Sequence, residues 1–525
     1  MPTKHSAVGR VLLAATLVGV VLTGACTEDT LVYRDREAFA TPADEVAGFL
    51  GYFDTDEKFT SCGLCHADEQ AAWIETHHAD AWATLQASGH AQSFCEPCHT
   101  VSPNGNVATG DVGWLAVQDS SYHDVQCESC HGPGADHAAN PMAVQPVASF
   151  LAASDATNGC GECHAGAHHP FVEQWEESRH GNVSSYAAGR EGCNECHDGA
   201  TAIVAQFSEH GRFLEKGDGE AYDITCVVCH DPHGGPYDAQ LRASLESTQL
   251  FSNLCVKCHN RRTVPAATTH GPHAAQGPLV LGENVGWWPP GFEWLDGLTG
   301  MHGDPEANPR LCATCHVEMF EVTDPTTGDF VFQSVGHLFE AAPCLDADGV
   351  PVAGTCDDSQ RRFAACAMSG CHGSESLARN LFINNRDNKL PALLREIWED
   401  TNDDHVVNAG DGGLLPQIVA AEGGRVLDVS DTLWTFAEGM LWNAQLAATE
   451  ATPWFFSGNV VVAAGDTVHF SGHAASGNGA HNPPFVRALL VASIEAGADY
   501  YGLPLPAGVD LTLPVAAVAH RDRQR

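Results

Sequence analysis

The chain has 525 residues and a formal net charge of −42, from 67 acidic residues against 25 basic ones. Such an acidic surface repels nucleic acid and anionic lipid headgroups, so the composition excludes a nucleic-acid-binding protein. It favours a basic partner or a cationic mineral surface, although a strong negative charge also serves simply to keep an exported protein soluble. Cysteine (21 residues) and histidine (29 residues) are frequent, and their spacing is the most informative feature of the sequence.

The first residues have the pattern of a secretory signal. Basic residues precede an apolar run at 11–22, which is too short to span a bilayer as a stable helix. Small residues then lead to Cys26, and we expect a lipoprotein-type signal peptide over residues 1–25 with a lipid anchor on Cys26. The alternative is an ordinary cleavage site with a spare thiol. Because Thr27 stands where an aspartate usually retains lipoproteins at the inner membrane, we expect an exported outer-membrane lipoprotein facing the periplasm or the cell exterior.

After residues 26–57, which look like a linker, one motif recurs along the chain. Cys-x-x-Cys-His occurs eight times, where random placement predicts about 0.05 copies. The first seven copies begin 33, 32, 33, 33, 33 and 29 residues apart. The eight strict copies are Cys62/Cys65/His66, Cys95/Cys98/His99, Cys127/Cys130/His131, Cys160/Cys163/His164, Cys193/Cys196/His197, Cys226/Cys229/His230, Cys255/Cys258/His259 and Cys312/Cys315/His316. A ninth copy, Cys366/Cys371/His372, has four residues between its cysteines.

This motif is the attachment sequence for haem c. The two thiols add to the vinyl groups on one edge of the porphyrin, and the next residue lies under the ring, where its imidazole binds the iron. A zinc-ribbon array or a disulfide scaffold is the alternative, but neither requires a histidine directly after the second cysteine. The sequence therefore predicts eight covalently bound haems, and a ninth at the stretched copy, since a longer loop still reaches both vinyl groups.

The spacing also predicts the fold. About 33 residues per haem cannot build an independent core, so the porphyrins must form the core of residues 58–375. We expect a mainly α fold with extensive loops and few strands, arranged as a stacked, quasi-linear haem-cored array. Helices are predicted at 69–85 and 170–180.

The regular spacing ends after His259. An insert at 277–300 is rich in tryptophan; it is interpreted as a docking lid or, preferably, as a loop that covers an exposed haem edge. Cys344 and Cys356 lie outside every motif, and an oxidising compartment predicts a disulfide between them. The acidic turn between them is only a weak match to a calcium loop.

Residues 376–525 contain no cysteine and are predicted to form a mainly helical C-terminal cap. Helices are expected at 389–399, 431–448 and 484–496, the last of them opened by two prolines. A β-hairpin is expected at 454–471 because of its β-branched residues.

The opposite face of each haem iron needs a second ligand. Without the nine motif histidines and His5, 19 histidines remain. The pattern Trp-x-Glu-x-x-His occurs twice and selects His78 and His180. We expect most haems to be bis-histidine ligated, which suits electron transfer because it closes the iron to substrate; a surface position is the alternative for each candidate. The candidate second ligands are His78, His90, His123, His137, His168 (beside His169), His180, His210, His233, His270, His302, His337 and His481.

Three segments give the chain a family resemblance. Cys127-Glu-Ser-Cys-His-Gly-Pro-Gly-Ala-Asp-His137, Cys226-Val-Val-Cys-His-Asp-Pro-His233 and the Trp-x-Glu-x-x-His segments resemble those of bacterial multihaem c-type cytochromes. These include the tetrahaem and octahaem proteins of nitrogen metabolism and the outer-membrane lipoprotein cytochromes of metal-reducing bacteria. The likeness covers 58–375 well and the rest loosely. It implies closely packed haems, bis-histidine ligation and electron relay, but no particular donor or acceptor.

Three functions remain open at this point. The leading hypothesis is an electron-transfer protein of the outer cell envelope, without catalytic residues, whose partners are other redox proteins or an extracellular electron acceptor. The second is a multihaem oxidoreductase that acts on a small nitrogen or sulfur compound at one five-coordinate haem, most plausibly at the irregular motifs that begin at Cys312 and Cys366. The third is haem storage or assembly into a homo-oligomer or filament.

Overall fold

The computed structural model describes residues 48–101, 118–146, 159–208, 213, 215, 217–266, 271–368, 370–402, 404, 406–428, 433–448, 459–463, 467–471 and 478–525. The expected signal segment with Cys26, and the candidate ligands His210 and His270, lie outside these residues. Within them, the helices are all too short or too polar to cross a membrane.

The described part of the chain is mainly helical, with extensive loops. Its α-helices are α1 (Ala67–Trp73), α2 (Ala81–Ala87), α3 (Cys127–His131), α4 (Ala135–Ala139), α5 (Phe171–Glu177), α6 (Ser185–Ala188), α7 (Asn194–His197), α8 (Gly199–Phe207), α9 (Cys226–Cys229), α10 (Gln276–Leu281), α11 (Cys312–His316), α12 (Glu375–Asn384), α13 (Leu390–Ile397), α14 (Leu414–Glu422), α15 (Phe436–Ala447), α16 (Asn478–His481), α17 (Pro483–Tyr500) and α18 (Val515–Gln524). The helices before residue 375 are one to three turns long, as expected for a part of the chain in which loops are extensive.

The strands are short and pair mostly as antiparallel ribbons. They are β1 (Tyr52–Asp54), β2 (Phe59–Thr60), β3 (Phe320–Thr323), β4 (Phe330–Ser334), β5 (Cys344–Leu345), β6 (Pro351–Val352), β7 (Val406–Val407), β8 (Asn459–Ala463) and β9 (Thr467–Ser471). β8 and β9 form the expected hairpin, and β7 adds to it in parallel. β1 lies within residues 26–57, which are predicted from the sequence to be a linker. It nevertheless pairs with β2, directly before the first motif.

The helix expected at 69–85 is broken in the middle. Thr76 has an extended backbone (φ −93°, ψ 160°), and its hydroxyl donates to the Trp73 carbonyl at 2.7 Å, which satisfies one of the free carbonyls at the end of α1. A 3₁₀ turn, His77–Asp80, then leads into α2. The break holds His78 in a turn, and the same arrangement recurs after α5, where the Ser178 hydroxyl donates to Trp175 O at 2.7 Å.

The C-terminal region has an apolar core of its own. Trp398, Trp442 and Phe485 are fully buried in it, on or next to α13, α15 and α17. The helix expected at 431–448 begins only at Phe436, because Thr435 and Glu438 form a capping box that fixes its first turn.

The tryptophan-rich insert packs on this core. Leu279, Val285 and Leu295 are fully buried with the cap helices. The backbone N–H of Trp287 donates to Asn443 Oδ1 at 2.8 Å, and its indole lies so close to α15 that only a glycine (Gly439) fits beneath it. The insert therefore docks the cap onto the chain that follows the seventh motif.

The expected disulfide between Cys344 and Cys356 is present. The acidic turn beside it is held by its own backbone: Asp346 Oδ1 accepts hydrogen bonds from the N–H groups of Asp348 and Val350, both at 2.9 Å. No cluster of three or more His, Cys, Asp or Glu side chains arranged to hold a metal ion is found among the described residues. The weak calcium prediction stays without support.

Candidate haem-binding sites

The nine motifs are numbered here as sites 1 to 9 in chain order. Site 1 is Cys62/Cys65/His66, site 2 Cys95/Cys98/His99, site 3 Cys127/Cys130/His131, site 4 Cys160/Cys163/His164, site 5 Cys193/Cys196/His197, site 6 Cys226/Cys229/His230, site 7 Cys255/Cys258/His259, site 8 Cys312/Cys315/His316 and site 9 Cys366/Cys371/His372. None of these cysteines forms a disulfide.

The motifs of sites 1, 4, 5, 6, 7 and 9 are turns closed by a backbone hydrogen bond from the histidine to the first cysteine, and those of sites 3 and 8 are the short helices α3 and α11. At site 1 the N–H of His66 donates to the carbonyl of Cys62 at 2.9 Å. The stretched site 9 closes in the same way, from His372 N to Cys366 O at 3.1 Å. Its two additional residues therefore leave the relation between first cysteine and histidine intact, which supports its assignment as a haem motif.

The motif cysteines differ in exposure. Cys65, Cys130, Cys193 and Cys371 are exposed, whereas the other motif cysteines are half-buried. Cys65 directly follows the 3₁₀ turn Ser61–Leu64, and Cys371 ends the stretched loop of site 9, so both thiols lie on surface turns.

Exposed cysteines are compatible with haem attachment. Thioether formation requires only that the vinyl group reach the sulfur, and it needs no protein on the outer side of the bond. Cys65 and Cys371 therefore stay predicted attachment residues, on the strength of the motif alone. We expect the porphyrin edges that they hold, at the first and the last site, to lie at the protein surface.

Eight of the nine motif histidines face a second histidine at nearly constant spacing. The distances between ring centres are 6.1 Å for His66–His137, 5.9 Å for His131–His233, 6.2 Å for His164–His78, 6.1 Å for His197–His273, 6.4 Å for His230–His337, 6.3 Å for His259–His180, 6.2 Å for His316–His481 and 6.1 Å for His372–His302.

This spacing matches two imidazoles that share one metal ion. A metal–imidazole bond is about 2 Å and each ring centre lies about 1 Å behind its nitrogen, so opposed ligands place their ring centres roughly 6 Å apart. Imidazoles in direct stacking contact lie closer. The motifs supply thiols on one side and the second histidines supply the opposite ligand, so the residues fit haem c.

Backbone carbonyls orient many of these imidazoles. In each case Nδ1 donates to a carbonyl, which leaves Nε2 unprotonated as a ligand. The bonds are His99 to Ala81 O (2.8 Å), His137 to Val144 O (2.7 Å), His230 to Ala239 O (2.7 Å), His302 to Ala480 O (3.0 Å), His316 to Phe339 O (2.8 Å) and His337 to Val335 O (3.0 Å).

Burial keeps the imidazoles neutral, which is the form that binds iron. It lowers the pKa of His180 to about 3 and those of His164 and His337 to about 4. His233 differs, because a hydrogen bond to Asp231 raises its pKa. That carboxylate lies 3.6 Å from Nδ1, the usual place for a group that orients a ligating imidazole.

Site 2 has no second histidine at the spacing seen for the other eight motif histidines among the described residues. His168 stacks on Phe330, with ring centres 4.2 Å apart. The ring centre of His169 lies 6.5 Å from that of His164 of site 4, and burial first, then His168 and His99, lower its pKa. His169 is therefore the candidate second ligand for site 2.

The remaining candidates are distributed as follows. The imidazole of His123 stacks on Trp82 at 4.4 Å, and His90 is exposed. The histidine that faces site 5 is His273, which is absent from the candidates proposed from the sequence. The signal that identifies it is an internal repeat.

Sites 1–3 and sites 4–6 are built alike. Cys62 and Cys160, the first cysteines of the two groups, are 98 residues apart. Equivalent hydrogen bonds recur in the two groups: Trp73 Nε1 to Val125 O (3.0 Å) and Trp175 Nε1 to Ile224 O (2.7 Å); Val125 N to His78 O and Ile224 N to His180 O (both 3.0 Å); Val101 N to Tyr122 O and Gly199 N to Tyr222 O (both 2.8 Å).

The repeat also relates the histidine pairs. His78 faces the motif histidine of site 4 and His180 faces that of site 7; His233 faces site 3 and His337 faces site 6. His273, which faces site 5, lies 104 residues after His169, the same shift that relates His337 to His233. The structure therefore repeats every three sites. The nearly constant spacing between single motifs does not show this longer period.

Comparison with known proteins agrees with this geometry. The family of cytochrome c554 and c-prime matches residues 61–132, and the doubled CXXCH motif matches residues 219–263. These matches and the chain's motifs support a multihaem c-type cytochrome with covalently bound haem c.

The multihaem cytochrome MtrA of Shewanella baltica (strain OS185) is 27% identical over 192 residues. The match covers 34% of this cytochrome and 55% of that relative, so it spans about half of the relative's length. No solved structure matches the chain.

Proposed function

We propose that this cytochrome relays electrons through nine haems, each ligated by two histidines, at the outer cell envelope. The observation that supports it is the constant spacing of about 6 Å between each of eight motif histidines and a second imidazole. The ninth pair is His99 with His169. Two strong axial ligands close the iron to substrate, so sites of this kind store and pass single electrons.

The irregular sites favour the same function. Sites 8 and 9 are where the sequence leaves room for catalysis at a five-coordinate iron. Yet His481 reaches site 8 from the cap, and His302 reaches site 9 from the segment after the insert. The second-ligand positions are filled there as in the regular part, which favours a relay over an oxidoreductase for small nitrogen or sulfur compounds.

The location and partners follow from the chemistry of the chain. Haem c is attached outside the cytoplasm, and the signal-like N-terminus with Cys26 supports an exported, lipid-anchored protein. The net charge of −42 supports a basic redox partner or a cationic extracellular acceptor. The likeness to MtrA, named as a multihaem cytochrome, supports other redox proteins as partners.

Protein-film voltammetry with optical detection tests the proposal. The expected result is that all nine haems are reduced from one electrode contact without substrate, and that nitrite, hydroxylamine and tetrathionate draw no catalytic current. A sustained catalytic current with one of these compounds contradicts the proposal and supports the oxidoreductase.

A further inference from the structure

The second histidine of site 8 has a different origin from those of the regular sites. The histidines that face sites 3, 5 and 6 are His233, His273 and His337, and each comes from the three-site unit that follows. Residues 373–525 contain no further motif. Site 8 is faced instead by His481 of the C-terminal cap. The cap therefore supplies what a following unit supplies elsewhere.

One short segment of the cap contacts the second histidines of two sites. Residues 479–482, called here the ligand loop, lead from α16 into α17. The ring centre of His481 lies 6.2 Å from that of His316 of site 8. The carbonyls of Ala480 and His481 accept hydrogen bonds from Nδ1 of His302, at 3.0 and 3.2 Å. His302 in turn faces the motif histidine of site 9 at 6.1 Å. The ligand loop thus provides one second histidine and orients the other.

Asn482 attaches the ligand loop to the tryptophan-rich insert. Its side chain is fully buried, and its Nδ2 donates to the carbonyls of Leu279 and Leu298, at 3.0 and 2.9 Å. Its Oδ1 accepts from the backbone N–H of Phe485 at 3.3 Å and so caps α17. One amide side chain therefore joins the ligand loop, the insert and the first turn of α17.

The segment that contains His302 packs at the same place. A Cβ atom at Gly300 would lie 3.3 Å from Asn482 Oδ1, and a Cβ atom at Gly303 would collide with a carbonyl of α10. Asn308 Nδ2 donates to the carbonyl of His302 at 2.7 Å. The backbone on both sides of His302 is therefore held against the insert and the ligand loop, so that a shift of the loop changes the surroundings of this imidazole directly.

We infer that Asn482 is a positioning residue for the second ligands of sites 8 and 9 together. The inference rests on the proposed ligation of these sites by His481 and His302. An imidazole stays on its iron when its other nitrogen and its backbone are fixed. Displacement of the ligand loop moves His481 away from site 8 and removes the carbonyls that orient His302 at site 9. The second histidines assigned to sites 1 to 7 lie elsewhere in the chain.

The test compares two buried asparagines of the cap. Asn482→Ser keeps an oxygen that caps α17 but does not reach the two carbonyls of the insert. Asn443→Ser is the matched control, because Asn443 is also fully buried and donates to Trp287 O at 2.6 Å and to Ser493 Oγ at 2.9 Å, away from the ligand loop.

Carbon monoxide counts the irons that have lost a histidine. A reduced haem with two histidines is closed to this gas, whereas a haem with one histidine binds it. Optical titration of the dithionite-reduced protein gives the number of open haems, and a pyridine haemochrome assay verifies that the total number of haems is unchanged. A loss of stability alone does not select two haems out of the whole set.

The expected count is two open haems in Asn482→Ser and none in the unmodified protein or in Asn443→Ser. His481→Ala is expected to open one haem, because its backbone carbonyl still holds His302, and adding Asn482→Ser to it opens the second. A count of one or none in Asn482→Ser, or of two in Asn443→Ser, overturns the inference.

A milder variant decides the question if Asn482→Ser does not fold. Asn385 is half-buried between α12 and α13, and its Nδ2 donates to the carbonyl of Gly479 at 3.0 Å. Asn385→Ala removes this one bond to the ligand loop, and we expect partial binding of carbon monoxide at up to two haems. No binding, or binding at more than two haems, overturns the inference. Binding by the unmodified protein contradicts the proposed function instead.

Discussion

A histidine becomes an iron ligand when its Nε2 faces the metal and its other nitrogen is held elsewhere. The motif histidines are identifiable from sequence alone, because the motif fixes them next to the attached cysteines. The second ligands come from distant parts of the chain: His481 is 165 residues from His316. Proximity to a motif therefore selected His168 where the structure favours its neighbour His169, and it omitted His273.

We predict that His273→Ala converts one of nine haems from low spin to high spin while the haem count stays at nine. The cysteines of site 5 still attach the group, but the iron loses its second imidazole. EPR of the ferric protein measures the change. His520→Ala is the matched control, because that imidazole bonds to Asp296 O at 2.9 Å on the cap. An unchanged spectrum for the His273 variant contradicts the assignment.

The adjacent pair at site 2 offers a sharper comparison. His169→Ala is expected to create one high-spin haem, whereas His168→Ala leaves every haem low-spin because that side chain stacks on Phe330. Magnetic circular dichroism distinguishes the two variants. The reverse result assigns the site to His168.

At the scale of elements, short helices are held by specific hydrogen bonds rather than by length. The sequence predicted helices at 69–85 and 170–180, but hydrophobic periodicity does not show that a hydroxyl from Thr76 or Ser178 ends each of them. In the cap, the helices predicted at 389–399, 431–448 and 484–496 agree better with the observed helices. Their apolar residues are buried in the hydrophobic core of the cap, so the apolar pattern predicts the helices well. The packing of the insert's tryptophans against helices distant in sequence was not predicted, because the local sequence contains no signal for it.

Trp175→Phe is expected to destabilise the protein by about 1–3 kcal/mol, because a buried indole donor is removed and the carbonyl of Ile224 loses its partner. Trp73→Phe is expected to have a similar effect through Val125. Guanidinium unfolding followed by circular dichroism measures both. Trp294→Phe, in the tryptophan-rich insert beside Arg521, serves as the control. Equal stability of all three variants argues against a structural role for the repeated hydrogen bond.

An ion pair links the turn before site 9 to the cap. Arg386 donates to both oxygens of Asp358, at 2.9 and 2.7 Å, and this lowers the pKa of the carboxyl group. Because the folded pKa lies below the unfolded value of about 3.9, the stabilisation is present above pH 4 and is lost as the pH falls through the folded pKa. Asp358→Asn should therefore cost roughly 0.5–1 kcal/mol at pH 7 and less at pH 3. A cost that does not change with pH contradicts the ion pair.

At the scale of the whole molecule, equivalent hydrogen bonds recur every third site, and the protein is strongly acidic. The sequence correctly indicated a mainly α fold with extensive loops, because motif spacing limits how much protein surrounds each group. It predicted a stacked array of single motifs, and the three-site period adds contacts between segments distant in sequence, such as Trp73 with Val125. Single-motif spacing contains no record of those contacts, nor of which thiols, such as Cys65 and Cys371, lie at the surface.

The charge predicts opposite salt effects for oppositely charged reagents. Reduction by hexaammineruthenium(II) should slow by at least about tenfold as ionic strength rises from about 0.01 to about 0.5 M, because salt screens the attraction. Reduction by dithionite, an anion, should become faster. Stopped-flow absorbance at the Soret band measures both rates. Equal responses to salt contradict electrostatic steering by the acidic surface.

The most direct test of the relay is a pyridine haemochrome count combined with EPR of the fully oxidised protein. The bis-histidine account predicts nine haems per chain, all low-spin and all reduced by dithionite. Eight haems contradict the assignment of the stretched site 9, and a high-spin signal of one haem per chain contradicts the account by revealing an iron open to substrate.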